Sequence, residues 1–264
     1  MSVTIKQIID TLPSSPVELE STVDQLLYGN ENDEVSEIAV TFMANQEVLE
    51  QAVQLGIRFI ISHEGLYYSH HQAYPLPEDS DILYEREQFI KKHGLAIYRY
   101  HDHCHRHQPD LITRGLVNKL DWQKHISLET AVATIVQVPP TPLQAIITAV
   151  KDKLQLPYIR FRGEQSKPCR NIGVLVGYRG NGASLIPLIA KHQLDAVIIG
   201  EGMEWEAPEY IRDAAALGSP CGIIVLGHAE SELPGIDLIG EMLQQALPQL
   251  QVHHLKAQPI YTIG

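Results

Sequence analysis

The chain has 264 residues, 44% of them hydrophobic, which is enough for one large α/β domain or for two smaller lobes. Its 20 basic and 32 acidic side chains give a formal net charge of −12, which disfavours a sequence-independent grip on nucleic acid. No apolar run approaches the ~20 residues that span a bilayer, and the first residues lack the pattern of a secretory signal. The three cysteines are widely spaced, as is typical of a reducing compartment. We therefore expect a cytoplasmic protein that binds neither membranes nor nucleic acid directly.

The N-terminal half reads as a helix followed by strands and helices in alternation. Apolar residues at helical spacing predict a helix over residues 5–12, and Asn45 and Gly56 are predicted to begin and end another. A further helix is predicted over residues 80–92. Residues 69–80 read as a loop, in which His70 and His71 are expected to be surface residues rather than ligands. The predicted strands cover residues 38–42, 58–62 and 94–99.

Histidines follow two of these strands directly. His63 and Glu64 come after the second strand, and four histidines with Asp102 lie within residues 101–107 after the third. Neutral imidazole is the commonest protein ligand of transition metals, so this density indicates a metal site. The alternatives are a polar loop rich in histidine by chance and, for His63, a helix cap.

The second half begins, by the same reasoning, with two helical stretches between residues 128 and 154, on either side of a proline-rich break at residues 139–142. An alternating segment at residues 158–162 predicts an antiparallel strand. Apolar strands follow at residues 171–177, 195–200 and 222–227, with helices to residue 194 and over residues 208–216. A terminal helix over residues 236–247 and a strand near residues 252–255 close the chain. We predict an N-terminal lobe of residues 1–125 and a C-terminal lobe of residues 126–264, whose last segment packs back on the first lobe.

A glycine-rich turn over residues 177–182 joins a strand to a helix. Backbone amides at such a helix start can hold a phosphate, and Arg179 could add positive charge. The turn matches neither dinucleotide nor Walker spacing, and tight packing of strand on helix explains its glycines equally well. Both explanations stay open at this stage.

Three apolar strands thus deliver a histidine, usually with a carboxylate, to their downstream ends. The third of these is His228, which lies at i and i+4 with Glu232 if the chain turns helical after Gly227. The carboxyl ends of parallel strands meet at one sheet edge, which is where ligands bind in such folds. We predict an α/β fold of two similar βαβ-type lobes with mixed, largely parallel sheets, and a metal site at the C-terminal strand edge between the lobes. The predicted metal ligands are His63, Glu64, His101, His105, His228 and Glu232.

These motifs resemble the Ngg-interacting-factor-like family, toroidal proteins often called GTP cyclohydrolase 1 type 2 homologues. The closing Gly-His-x-x-x-Glu motif of that family is matched by residues 227–232, and its Thr-Gly-Asp/Glu turn resembles residues 199–201. Two positions differ: Glu64 stands where the family has a second histidine, and His105 where it has a bridging aspartate. The resemblance implies a ring-shaped homo-oligomer, a hexamer, with a two-metal site; with these exchanges, one or two ions per chain are expected.

The ions expected from mixed nitrogen and oxygen ligands are Zn, Fe, Mn or Ni. The resemblance implies a metal-dependent hydrolase that acts on a nucleotide or another phosphorylated small molecule, since a bound ion lowers the pKa of water toward about 7. Asp102 or Glu201 is the expected proton carrier. The alternative is a non-catalytic metal-binding regulatory or scaffold protein of the same fold. A third hypothesis is a nucleotide-binding module that uses the glycine-rich turn without metal.

Overall fold

The computed structural model describes residues 2–70 and 80–262. In chain order, the strands are β1 (Val3–Thr4), β2 (Gln25–Tyr28), β3 (Glu34–Val35), β4 (Glu37–Thr41), β5 (Phe59–Ser62), β6 (Ala96–Arg99), β7 (Ile126–Glu129), β8 (Thr134–Pro142), β9 (Arg160–Arg162), β10 (Pro168–Leu175), β11 (Ala196–Ile199), β12 (Gly222–Val225) and β13 (Gln251–His254). The α-helices are α1 (Ile5–Thr11), α2 (Gln46–Leu55), α3 (Asp81–His93), α4 (Asp102–Arg106), α5 (Leu111–Lys119), α6 (Leu143–Leu154), α7 (Gly182–His192), α8 (Ala207–Ala216) and α9 (His228–Ala246).

The chain forms two compact units. The first contains the residues up to Gln108 together with Ile236–Thr262, and the second contains Pro109–Gly235. Helix α9 therefore begins in the second unit and ends in the first. The predicted lobe boundary between residues 125 and 126 lies within the second unit.

The first unit is built on a five-stranded sheet with the strand order β13-β4-β5-β6-β2. Its four strands β13, β4, β5 and β6 are parallel, and β2 pairs with β6 antiparallel. Strands β4 and β5 are almost wholly buried, and Ile38, Phe59 and Ile60 expose none of their surface. A strand buried on both faces has the continuous apolar sequence seen here.

Helix α2, which connects β4 to β5, has its start and its end encoded in the sequence. Asn45 Oδ1 accepts a hydrogen bond from the Val48 amide at 3.0 Å, which satisfies one of the amides left unpaired at a helix start. Gly56 then ends the helix in a left-handed conformation with φ of +78°. Both predicted ends of this helix are confirmed.

The second unit contains a six-stranded mixed sheet with the order β7-β8-β10-β11-β12-β9. Strands β10, β11 and β12 are parallel, whereas β9, β8 and β7 pair antiparallel with their neighbours. The predictions of an α/β fold with mixed, largely parallel sheets and of an antiparallel strand at β9 are confirmed.

Some local predictions were wrong. Of the two helical stretches predicted between residues 128 and 154, the first is wrong: residues 126–142 form the β7–β8 hairpin, because β-branched residues such as Thr134, Ile135 and Val136 favour a strand, and the prolines lie at the end of β8. The second stretch is confirmed as α6. Strand β2 was missed. The histidine-rich segment forms the short helix α4 instead of a loop. The predicted terminal helix is the second part of α9, which continues through Pro234.

Over the two described ranges, no helix has both the length and the apolar character that crossing a bilayer requires.

Candidate metal centre

Three histidines of the first unit bring their ring nitrogens together. Strands β5 and β6 are parallel neighbours, with Ser62 opposite Arg99, so the residues that follow them leave the same sheet edge. His63 follows the first strand. His101 and His105 lie at i and i+4 at the start and on the body of α4, which places both on one helix face. Each of the three offers a ring nitrogen, and these atoms lie within 4.8 Å of one another.

Two of these imidazoles are oriented by hydrogen bonds at Nδ1. His63 Nδ1 lies 3.0 Å from the Tyr100 carbonyl oxygen, and a carbonyl can only accept, so Nδ1 carries the proton. His101 Nδ1 lies 3.0 Å from Asp102 Oδ1. Metal-binding histidines are held in this way, with one ring nitrogen donating to an oxygen and the other left to face the ion. This arrangement makes Nε2 the ligand atom of both residues.

Asp24 fixes the helix that carries two of the ligands. One of its carboxylate oxygens accepts from the amides of His101 and Asp102, both at 2.7 Å, and the other accepts from the amide of His103 at 3.0 Å. In return, the amide of Val23 donates to Asp102 Oδ2 at 2.9 Å. Asp24 lies 77 residues before His101, and no sequence pattern indicated this role.

Glu64 has a different environment from the three imidazoles. Its Oε2 lies 3.2 Å from Arg99 Nη2 and 3.5 Å from His70 Nδ1, and its Oε1 lies 3.6 Å from His101 Nε2. Glu64, His70 and His101 form a second group with ligand atoms within 4.8 Å of one another. His70 therefore lies beside the predicted ligands, although the sequence predicted a surface loop residue. His71 lies outside the described residues.

The electrostatics of the first unit favour neutral imidazole. Burial lowers the pKa of His101 to about 3, and the hydrogen bond with Asp102, which raises it, does not compensate. Burial raises the pKa of Asp102, but hydrogen bonds from His101 and Val23 outweigh it and hold this pKa well below its usual range. His101 is thus an unprotonated base next to an ionised carboxylate, which is the form that binds a cation.

The second unit places a histidine in the opposite environment. His228 begins α9 directly after β12, and its Nε2 lies 3.3 Å from Glu232 Oε2, one helical turn further on. Its Nδ1 lies 2.8 Å from Glu201 Oε1. Burial lowers the pKa of His228, but the hydrogen bonds with Glu201 and Glu232 outweigh it and raise this pKa to about 10. The predicted helical spacing of His228 and Glu232 is confirmed.

The glycine-rich turn of the second unit serves packing. Gly177 has φ of +57°, and a Cβ there would overlap the Glu232 carboxylate and lie 3.0 Å from His228 Nε2. The start of α7 is occupied by a carboxylate of the chain itself, because the Gly182 amide donates to Glu206 Oε2 at 2.6 Å. Of the two explanations left open by the sequence, the contacts favour tight packing over a phosphate cradle.

Arg179 is engaged within the second unit. Its Nη1 lies 2.6 Å from Asp110 Oδ2 and 3.2 Å from Thr113 Oγ1. The other oxygen of Asp110 accepts from the amides of Ile112 and Thr113 at the start of α5. Arg179 therefore ties its loop to α5, which argues against the predicted contact with substrate charge.

The six predicted ligands fall into two sets. His63, Glu64, His101 and His105 lie together in the first unit, and His228 and Glu232 are adjacent in the second. Three imidazoles, two of them oriented by hydrogen bonds at Nδ1, suit a divalent transition metal, for which three protein nitrogens and an open position are a known catalytic arrangement. The predicted proton carriers Asp102 and Glu201 each contact Nδ1 of a predicted ligand histidine.

The cavities differ in size and position. A cavity of about 480 Å³ in the second unit is lined by Arg162, Lys167 and Cys221, among others, at the edge where β12 begins, away from His228. A small cavity of about 10 Å³ in the first unit touches His63 and Tyr100. The larger space therefore lies apart from the predicted ligands.

Similar proteins agree with this reading of the fold. A protein of Clostridium acetobutylicum named "GTP cyclohydrolase 1 type 2 homolog" is 20% identical over 96% of this chain and 94% of its own length. A protein of the same name from Lactococcus lactis subsp. lactis is 24% identical over 67% of this chain and 68% of its own. The crystal structure of a Bacillus cereus protein related to NIF3 superposes with a TM-score of 0.79 at 14% identity and covers 99% of both chains.

A family model matches residues 3–260, which is nearly the whole chain. This match confirms the resemblance that the histidine and glutamate motifs indicated. The chain belongs to the family described as Duf34/NIF3 (NGG1p interacting factor 3).

Proposed function

We propose that the protein is a metal-dependent hydrolase with a reaction like that of a GTP cyclohydrolase 1 type 2, acting on a nucleotide or another phosphorylated small molecule. The observation that carries this proposal is the group of three imidazoles, His63, His101 and His105, whose ligand atoms lie within 4.8 Å of one another. The names of the relatives support the choice of reaction.

In this proposal, His63, His101 and His105 bind a divalent ion of the Zn, Fe, Mn or Ni class. When bound, the ion supplies Lewis acidity that makes water a nucleophile near neutral pH. The Tyr100 carbonyl and Asp102 hold two of the rings by their Nδ1 atoms. His228 and Glu232, the other two predicted ligands, lie in the second unit, where His228 would have to lose a proton before it could bind an ion, since its pKa is raised to about 10.

Proton transfer is assigned to Asp102 and Glu201. Asp102 has a pKa well below its usual range, so it is ionised at neutral pH and can accept a proton only transiently. Glu201 is about half exposed, with 47% of its side chain accessible, and it contacts His228. Its exposure to solvent and its contact with His228 support Glu201 as a candidate proton carrier.

The test is an activity assay on the full chain loaded separately with Zn, Mn, Fe and Ni. Substrates would include GTP, other nucleotides and phosphoesters, with products resolved by chromatography. We expect hydrolysis with at least one metal and its loss in His63→Ala, whereas His125→Ala, which changes a histidine outside both ligand sets, retains it. Metal retained without turnover on the whole panel would contradict the proposal and favour the non-catalytic scaffold.

We also propose a cytoplasmic homo-oligomer, a ring-shaped hexamer, on the strength of the resemblance described above. Native mass spectrometry of the purified chain would test the assembly directly. A monomer at micromolar concentration would contradict it.

A further inference from the structure

Arg99 places a permanent positive charge inside the group formed by Glu64 and His70. It is the last residue of β6, and only 6% of its side chain is exposed. Its Nη2 lies 2.8 Å from His70 Nδ1 and 3.2 Å from Glu64 Oε2, and its Nη1 donates to the His70 carbonyl at 2.8 Å. The guanidinium thus contacts both side chains that could hold an ion next to His101.

These contacts change what His70 can do. A guanidinium has five N–H donors and no acceptor, so His70 Nδ1 must accept the hydrogen bond from Arg99. The lone pair of His70 Nδ1 therefore accepts this hydrogen bond and cannot at the same time bind a metal ion. His63 and His101 differ on this point, because their Nδ1 atoms face oxygens.

The same guanidinium neutralises Glu64. A carboxylate paired with a buried arginine has its negative charge balanced locally, and a divalent ion beside it would meet repulsion from a fixed cation a few ångströms away. Glu64 lies two residues beyond β5, and Arg99 is the last residue of the neighbouring parallel strand β6, so the two side chains meet at the same sheet edge.

We propose that Arg99 takes the place of a second cation in the first unit. The unit then holds a single transition-metal ion, at His63, His101 and His105, while Glu64 and His70 bind the guanidinium. This inference rests on the metal binding of the proposed function, and it sets the number of ions independently of the reaction. Arg99 acts through Glu64 and His70, as a positioning residue that also determines metal number.

The test is the metal content of the full chain and its variants, measured by elemental analysis after loading with Co²⁺ or Zn²⁺ and removal of excess ion. We expect His105→Ala to lose about one ion per chain relative to the unchanged protein, and His70→Ala to lose none. His93→Ala, in the same unit at the end of α3, is the control. Because only differences are compared, ions bound elsewhere cancel. Loss of an ion in His70→Ala would overturn the inference.

A second pair of variants tests Arg99 itself. Arg99→Met removes the charge and is expected to bind one additional ion, with a new Co²⁺ absorption band. Arg99→Lys keeps a cation and is expected to bind no additional ion. Circular dichroism establishes that both are folded. A folded Arg99→Met without the additional ion would overturn the role of Arg99. If Arg99→Met does not fold, the His70→Ala measurement still decides the number of ions.

The outcomes separate this inference from the proposed function. Metal contents as expected, together with no hydrolysis by any loaded form, would overturn the hydrolase and leave the single ion of the first unit in place. Hydrolysis by the loaded protein, together with the loss of an ion in His70→Ala, would support the hydrolase and overturn the inference of a single ion.

Discussion

His101 and His228 each follow a parallel strand, yet near neutral pH the first is uncharged and the second carries a positive charge. In the first unit, His101 is surrounded by other imidazoles and is buried, so its pKa falls to about 3. In the second, two carboxylates contact His228 and raise its pKa to about 10 despite its burial. Its position at a strand end brings each histidine to the sheet edge. The neighbouring side chains then determine whether it is neutral, as a metal ligand must be, or a cation in an ion pair.

The largest expected effect comes from adding a side-chain atom next to Glu232 and His228 in the second unit. Gly177→Ala would push a Cβ into the Glu232 carboxylate, which is 2% exposed and cannot move into solvent, at a left-handed φ of +57°. We expect a loss of about 2–4 kcal/mol in the free energy of unfolding from overlap and backbone strain. Denaturant titration measures it.

Gly56→Ala is the matched control for this substitution. Gly56 also has a positive φ, of +78°, but nothing lies within 4 Å of an added Cβ. The loss there should be limited to the backbone term of about 1 kcal/mol. Equal losses at Gly177 and Gly56 would show that close packing on Glu232 contributes nothing.

A smaller effect is expected from the carboxylate that orients His101. Asp102→Asn keeps the shape but replaces the acceptor of the Nδ1–H bond by a neutral amide, which loosens and weakens the ligand. Changes at such positions lower metal affinity about 10–100-fold. Competition with a chromophoric chelator gives the affinity. An unchanged value would mean that Asp102 serves only the packing of α4 against Val23.

A change in the slope of stability with pH tests the comparison directly in metal-free protein. The pKa of His101 is lowered from 6.5 to about 3, so its contribution to stability is present above pH 6.5 and is lost as the pH falls toward 3. The pKa of His228 is raised from 6.5 to about 10, so its contribution is present below pH 6.5 and is lost as the pH rises toward 10.

Chemical denaturation at a series of pH values between about 4 and 9 would reveal both the acid limb and the alkaline limb of the stability curve. His101→Gln should flatten the acid limb, and His228→Gln the alkaline limb. Curves in which both variants keep the slopes of the unchanged protein would contradict the assignment of a neutral His101 and a cationic His228.

Local sequence signals predicted much of the fold. Helix α2 carried its own start and stop at Asn45 and Gly56, and the His228/Glu232 pair needed only helical spacing. A helix was predicted at the β7–β8 hairpin because the prolines at residues 139–142 suggested a break between two helices, although the β-branched residues before them favour a strand. Short strand β2 lacked enough residues to show a period.

The site was predictable where ligands follow strands and not where partners are distant in sequence. His63, His101 and His105 stood out by residue type. Arg99 could have been noticed as a charged residue at the end of an apolar strand, but its contacts with Glu64 and His70, 35 and 29 residues away, needed the fold. Asp24 is 77 residues from the amide of His101 that it binds.

The contact between Asp24 and the first turn of α4 makes the geometry of the predicted ligands His101 and His105 dependent on a segment far from them in sequence. Three successive amides converge on one carboxylate, while the Val23 amide returns a bond to Asp102. Proteolytic nicking or displacement of the chain near residue 24 would release that turn and let the two imidazoles of α4 drift apart. If the imidazoles bind a cation as proposed, its retention depends on the integrity of the N-terminal segment, nearly eighty positions upstream.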